Sequence, residues 1–303
     1  MSSQFKWSND QIEQVGQLRM SGLPLFKIAE IMTERMGRKI TYDGVDGILK
    51  RSGLRFTPVE MNPEVKVYKE MTIPMDDYIV SCDHHAPYHS ELWCNRLLAV
   101  AERFKIRKHI IAGDLYDFNF ASKFPAEERK DIDKEGEDSK SILNIVAYFD
   151  KNYFIQGNHE RRAGIFTEGM IRARHIFTLY GQDVYAKKIV YSLYDRIWIE
   201  DKYLIMHPKS YSQISTAVGK RMAEKFHAHI LNAHGHFVGL TYDRSGKYMC
   251  VDLGGLFDPA KIEYCSLRTS THPVWNPGFA MIKGGKFFLF HQESDWKFWL
   301  GGK

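Results

Sequence analysis

Cysteine is scarce and unpatterned: Cys82, Cys94, Cys250 and Cys265 are the only four in 303 residues, with no CxxC among them. That excludes a disulfide framework or a zinc knuckle and predicts reduced thiols. Long apolar runs are missing too. No segment approaches the roughly 18 uninterrupted apolar residues of a membrane span. The opening Met1-Ser2-Ser3-Gln4-Phe5-Lys6 has no signal-peptide core, so a cytoplasmic protein without a membrane partner is expected. Charge of one sign is in short supply: 42 Lys+Arg face 37 Asp+Glu, and the net +5 tolerates a polyanionic partner without requiring one. Core-forming residues are plentiful. At 44% apolar and 14% aromatic, the chain supports one large domain plus a small one.

Five short apolar runs end on residues that can bind a metal. Tyr78-Ile79-Val80 leads to Asp83-His84-His85, His109-Ile110-Ile111-Ala112 to Gly113-Asp114-Leu115-Tyr116-Asp117, and Tyr153-Phe154-Ile155 to Gly157-Asn158-His159-Glu160. Tyr203-Leu204-Ile205-Met206 leads to His207, and Ile230-Leu231 to His234-Gly235-His236. Short continuous apolar runs of this kind predict fully buried strands, and ligands gather at the carboxyl ends of such strands in layered α/β proteins. Between them, helical periodicity is expected over 90–104, 139–149, 168–179 and 215–226. Residues 238–242 with 248–251, and 279–282 with 287–290, predict two antiparallel hairpins. The charge-crowded stretch 127–140 is expected to be a solvated loop or helix.

The first 55 residues follow a different pattern. Ile12, Val15 and Leu18, then Leu25, Ile28, Ala29 and Met32, then Val45, Ile48 and Leu49 give three short helices with one buried face each. Ser8 and Thr41 are candidate caps, Ser21-Gly22 a break, and Pro24 a helix opener. Residues 56–75, with Pro58, Pro63 and Pro74, read as a linker to a domain spanning 76–303. Trp7, the Gly22 turn, the Ile28-Ala29 step and Lys50-Arg51-Ser52-Gly53-Leu54 together resemble a Myb- or homeodomain-like helix-turn-helix. That resemblance implies DNA contacts, for which Lys39, Lys50 and Arg51 are the candidates. Trihelical bundles also serve as protein contacts. Nine Lys+Arg against six Asp+Glu favour nucleic acid only weakly, and Asp43 and Asp46 lie on the third helix.

Taken in order, Asp-x-His, Gly-Asp-x-x-Asp, Gly-Asn-His-Glu, a lone His and His-x-His resemble the calcineurin-like metallophosphoesterase superfamily over roughly residues 77–292. The resemblance implies a layered α/β β-sandwich flanked by helices, with the three-helix domain in front. It further implies two divalent cations. Asp83, His85 and His236 would hold one, Asn158, His207 and His234 the other, with Asp114 bridging them and a hydroxide between the ions as nucleophile. A mixed imidazole–carboxylate set suits Mn²⁺ first, with Fe, Zn or Ni as alternatives. His159 is the expected general acid and Asp117 the carboxylate that orients it. Arg161, Arg162 and His84 are candidate substrate contacts. Two departures from the family pattern stand out. Ala233 replaces the usual glycine before His234, and Ala86 with Phe118-Asn119 counts against the phosphoprotein phosphatase branch.

The expected function is a dinuclear-metal phosphoesterase, with a DNA-directed nuclease or phosphodiesterase favoured by the helical module. The alternative is a phosphomonoesterase or small-molecule phosphodiesterase whose helices mediate protein assembly. An inert binding protein is the third reading, opposed by the complete ligand set.

Overall fold

The computed structural model describes residues 7–20, 23–52, 68–122, 130–263 and 275–301. The expected break at 21–22, most of the linker, the start of the charged stretch at 127–129, Gly53, Leu54, Cys265 and His272 lie outside them. The chain divides into two compact units, Met1–Val67 and Tyr68–Lys303. Among the described residues no helix is long and apolar enough to cross a membrane.

In the first unit, α1 (Asn9–Met20), α2 (Leu25–Met36) and α3 (Tyr42–Arg51) surround Val15, Ile28, Ala29, Met32, Ile40, Val45, Ile48 and Leu49. Ser8 and Gln11 exchange backbone-to-side-chain hydrogen bonds at the start of α1. The Thr41 hydroxyl accepts from the Gly44 amide at 3.2 Å, as a helix cap should. Pro24 stands just outside α2 in extended backbone, where its missing N–H is not needed.

The second unit is a four-layer α/β/β/α sandwich. Its strands are β1 (Thr72–Ile73), β2 (Tyr78–Ser81), β3 (Lys108–Ile111), β4 (Lys151–Phe154), β5 (Ile189–Tyr191), β6 (Arg196–Ile199), β7 (Tyr203–Met206), β8 (His229–Asn232), β9 (Val238–Tyr242), β10 (Met249–Leu253), β11 (Phe279–Lys283) and β12 (Lys286–Phe290). One sheet runs β1-β6-β7-β8-β10-β9 and the other β12-β11-β2-β3-β4-β5. β2, β3, β4 and β5 pair in parallel, as do β7, β8 and β10. Both predicted hairpins are present, at β9–β10 and β11–β12. The second turns through Gly284 and Gly285, both at positive φ.

Alternation along each strand explains the layering. Tyr78, Val80, Ile110, Tyr153, Ile205 and Leu231 point between the sheets. Ile79, Ile111 and Phe154 point outward under α4 (Glu91–Arg103) and α6 (Leu143–Tyr148). Each such fully buried aliphatic side chain contributes about 1.5–3 kcal/mol. α9 (Ala217–Phe226) covers the other sheet over Leu204, Ile230 and Cys250. Cys82, Cys94 and Cys250 are buried free thiols.

Three expectations need correction. Thr72–Ile73, inside the expected linker, forms an edge strand paired with Trp198 and Ile199, and the Glu70 carboxylate before it accepts from Arg196 and Trp198. Of the expected helix 168–179 only a 3₁₀ turn and Ile176–Leu179 (α8) are helical, because the backbone turns through Glu168 and Gly169 at positive φ. The charged stretch contains α5 (Ile132–Asp138), where Glu135 is fully buried against Phe120 and Tyr180 rather than solvated.

Candidate metal centre

All five apolar runs deliver their polar endings to one end of the two sheets. Asp83-His84-His85 follows β2, Asp114 and Asp117 follow β3, Asn158 and His159 open α7 (Asn158–Phe166) after β4, His207 follows β7, and His234 and His236 follow β8. Five of the seven expected ligands have left-handed backbone: Asp83 (φ 50°), His85 (48°), Asp114 (52°), His234 (73°) and His236 (59°). Left-handed conformations cost free energy for residues with a Cβ and concentrate at functional sites. Two glycines make the close packing possible. A Cβ on Gly113 would stand 2.8 Å from His207 Cγ, and one on Gly157 would stand 2.6 Å from the Asp114 amide. Ala233 needs no such freedom; its methyl is buried between the sheets.

The donor atoms converge around Asp114. Its Oδ2 is buried without a hydrogen-bond partner and lies 3.3 Å from His207 Nε2, 4.0 Å from His85 Nε2 and 4.0 Å from His159 Nε2. Asp83 Oδ1 is 3.1 Å from His236 Nε2, which is 3.3 Å from His85 Nε2. Asp83, His85 and His236 form one metal-capable group, and Asp114, His207 and His234 another.

Tautomers test whether a cation fits. His207 Nδ1 donates to the Ala112 carbonyl at 2.8 Å, so Nε2 is a lone pair, yet it faces two acceptors, Asp114 Oδ2 and Asn158 Oδ1 at 3.0 Å. His85 Nδ1 donates to Asp117 Oδ1 at 3.2 Å, which turns its Nε2 lone pair toward His236. Acceptors facing acceptors in a dry pocket need a shared positive charge. The pKa directions express the same demand in protons. Burial opposes a charged His207, but Asp114 and Asp83 outweigh it and push its pKa up to about 10. Burial alone would raise Asp83 and Asp114, and the surrounding histidines instead hold both below the usual carboxylate range. His234 is lowered to about 4 by burial and by His207. The residues fit divalent cations.

His159 stands beside this cluster. Its amide donates to Asp114 Oδ1 at 2.8 Å, and its Nδ1 lies 2.7 Å from the Asp117 carbonyl and 3.2 Å from the Asp117 carboxylate. Burial disfavours its charged form, but Asp114 and Asp117 push its pKa up to about 9. Arg162 opposes the second proton: its Nη2 is 3.2 Å from His159 Nε2, and its Nη1 donates to the Asp117 carbonyl at 3.2 Å. Of the two expected arginines only Arg162 faces the centre. Arg161 turns to Asp195 at 3.9 Å.

His84 is a correction. It is fully buried and its Nε2 lies 3.1 Å from the Ser81 hydroxyl, so it has no surface to offer substrate. In the first unit, Lys39, Lys50 and Arg51 are exposed, and Lys50 pairs with Asp46 at 2.6 Å.

Two contributions escaped the sequence reading. Glu160 accepts from the amides of Asp114 (2.9 Å), Leu115 (2.8 Å) and Gly157 (2.8 Å), tying the β3 loop to the start of α7. Its position three residues after Gly157 is a capping-box signal that could have revealed this. Phe257 and Trp275 wall the centre, their rings 4.6 and 4.7 Å from that of His236, and Tyr211 stands 6.0 Å from His234. Nothing local in the sequence announces that wall.

No family profile matches this sequence, and no curated protein matches it. Among solved structures it is similar to a protein serine/threonine phosphatase from Saccharomyces cerevisiae with similarity to human phosphatase PP5 (11% identity, 73% of this chain and 82% of that one, TM-score 0.38). It is also similar to Yfce, a phosphoesterase from E. coli (10%, 69% and 88%, TM-score 0.35), and to a dimetal phosphatase from Danio rerio (10%, 72% and 96%, TM-score 0.37). Likeness at this level carries nothing about activity, and the chemistry rests on the residues themselves.

Proposed function

We propose that the chain is a phosphoric ester hydrolase of the calcineurin-like metallophosphoesterase type, built on two divalent cations and directed at phosphodiesters in DNA. The observation that carries the reading is Asp114 Oδ2, a buried carboxylate oxygen without a partner, ringed by imidazole nitrogens of His85, His159 and His207. Asp83, His85 and His236 would hold one cation and Asn158, His207 and His234 the other, with Asp114 shared. Bound there, Mn²⁺ or a similar ion would neutralise phosphoryl charge and make hydroxide available at neutral pH.

The chain's own side chains do the rest. His159, oriented at Nδ1 by Asp117, presents Nε2 to the leaving oxygen and gives it a proton as the ester bond breaks. Arg162 is placed to leave His159 Nε2 and donate to non-bridging phosphate oxygens when substrate arrives, since a guanidinium meets such oxygens in bidentate geometry. The α7 N-terminus adds a favourable dipole for the anion. A tethered three-helix unit carrying Lys39, Lys50 and Arg51 would raise the local DNA concentration. The Lys50–Asp46 ion pair and the exposed Asp43 on α3 favour a second reading, in which the helices bind protein and the hydrolase takes small esters.

Turnover with Mn²⁺ of a chromogenic bis-ester, a chromogenic monoester, and single- and double-stranded DNA separates the readings. DNA cleavage together with bis-ester turnover is expected. Turnover of small esters alone, with DNA intact, would remove the nuclease reading.

A further inference from the structure

On the outer face of the β2-β3-β4 sheet, under α4 and α6, the apolar packing is interrupted by a line of fully buried polar side chains: Asn152, His109, Ser81 and His84. Asn152 and His109 are direct neighbours on adjacent parallel strands, and His109 is opposite Ile79 on β2. The line runs across three strands and up to the loop that bears Asp83 and His85.

Its hydrogen bonds have one direction. Asn152 Nδ2 donates to the Val146 carbonyl at 3.1 Å, which turns the amide oxygen to His109. His109 Nδ1 therefore donates to Asn152 Oδ1 at 3.1 Å, leaving Nε2 as acceptor. The Ser81 hydroxyl donates to that Nε2 at 2.7 Å and accepts from His84 Nε2 at 3.1 Å. Every group has one allowed tautomer or rotamer. The His109 ring is further fixed by stacking on Phe149 at 4.5 Å.

Such a line is not needed for stability. Apolar side chains would fill the face as well, and each buried polar group carries a desolvation penalty that a hydrogen bond only roughly offsets. His84 Nδ1 remains buried without a partner. The line ends, however, on the residue between two expected ligands, both left-handed. Strict alternation past Ser81 and Cys82 would turn His84 between the sheets. The left-handed backbone at Asp83 and His85 reverses that, holding His84 to the outer face beside Ser81 while its two neighbours are presented to the centre.

We infer that the Asn152–His109–Ser81–His84 chain is a positioning device that holds Asp83 and His85 in their strained, metal-receiving geometry. The inference rests on the metal-centre reading above. These residues touch neither substrate nor cation; they act through the backbone of the Asp83–His85 turn.

The test is metal binding by the full chain, with Mn²⁺ titrated by calorimetry and Co²⁺ followed by its visible absorption, in wild type and variants. Ser81→Ala removes the hydroxyl that joins both imidazoles. His84→Phe keeps volume and burial without the N–H, and serves if the first variant does not fold. Ile79→Val, on the same face opposite His109, is the packing control. The expected result is about a tenfold loss of affinity at one of two sites, with an altered Co²⁺ spectrum, in both chain variants. Ser81→Thr should restore it, and Ile79→Val should match wild type. Equal affinities in wild type, Ser81→Ala and His84→Phe, or losses that Ile79→Val shares in proportion to its melting temperature, overturn the inference while leaving the metal centre intact. A wild type that binds no metal overturns both.

Discussion

The three-helix unit and the strand-end loops of the sandwich obey opposite rules. In the first, the core is Val15, Ile28, Ala29, Met32, Ile40, Val45, Ile48 and Leu49, and among its described residues only Gly37 has positive φ. In the second, carboxylates and imidazoles are buried together, and five expected ligands are left-handed. Local preference, pattern and packing agree in the helices and conflict in the loops. Conflicts of that kind persist where function requires them.

The largest effect should come from relieving the conflict. Asp114→Asn keeps an acceptor for the His159 amide but removes the buried charge. Metal should be lost by elemental analysis, and turnover should fall at least about 10³-fold. Wild-type metal occupancy in this variant would break the comparison. His159→Asn comes next: metal retained and kcat down about 10²–10⁴-fold, most for poor leaving groups. Equal losses across leaving groups would assign the proton to another residue.

On the conventional side, Ile28→Ala should destabilise the helical unit by about 2–5 kcal/mol without changing hydrolysis of a small ester. The circular dichroism melt and the bis-ester rate check it together.

The smallest effect concerns pH. Burial, and then Asp117, push the Glu135 pKa up to about 7 from an ordinary 4.5. The folded state thus holds this proton more tightly than the unfolded one. The resulting stability is full below about pH 4.5 and declines as pH rises to about 7, by about 3 kcal/mol. Glu135→Gln should flatten that decline, so its advantage over wild type in denaturation midpoint should be larger at pH 8 than at pH 5.

Much of this was legible in the sequence, for a physical reason. Buried parallel strands are read from short continuous runs, so Tyr78, His109, Tyr153, Tyr203 and Ile230 all fall inside observed strands. The polar residues after each run then had one place to go. What stayed hidden depends on contacts between distant segments. Glu160 reaches the amide of Asp114, Trp275 comes to lie beside His236, and Thr72 pairs with Trp198. His84 looks like a substrate contact because it sits between ligands; the left-handed backbone at Asp83 sends it the other way, onto the outer sheet face beside Ser81. Glu135 looked solvated because its neighbours are charged, whereas the helix turns that one carboxyl inward.

The central claim is that Asp114 is shared by two cations. The most direct measurement is anomalous diffraction at the manganese edge from crystals soaked in Mn²⁺. The account predicts two peaks flanking the Asp114 carboxylate, one among Asp83, His85 and His236 and the other among Asn158, His207 and His234. No peak there at saturating ion, or peaks away from Asp114, would contradict it.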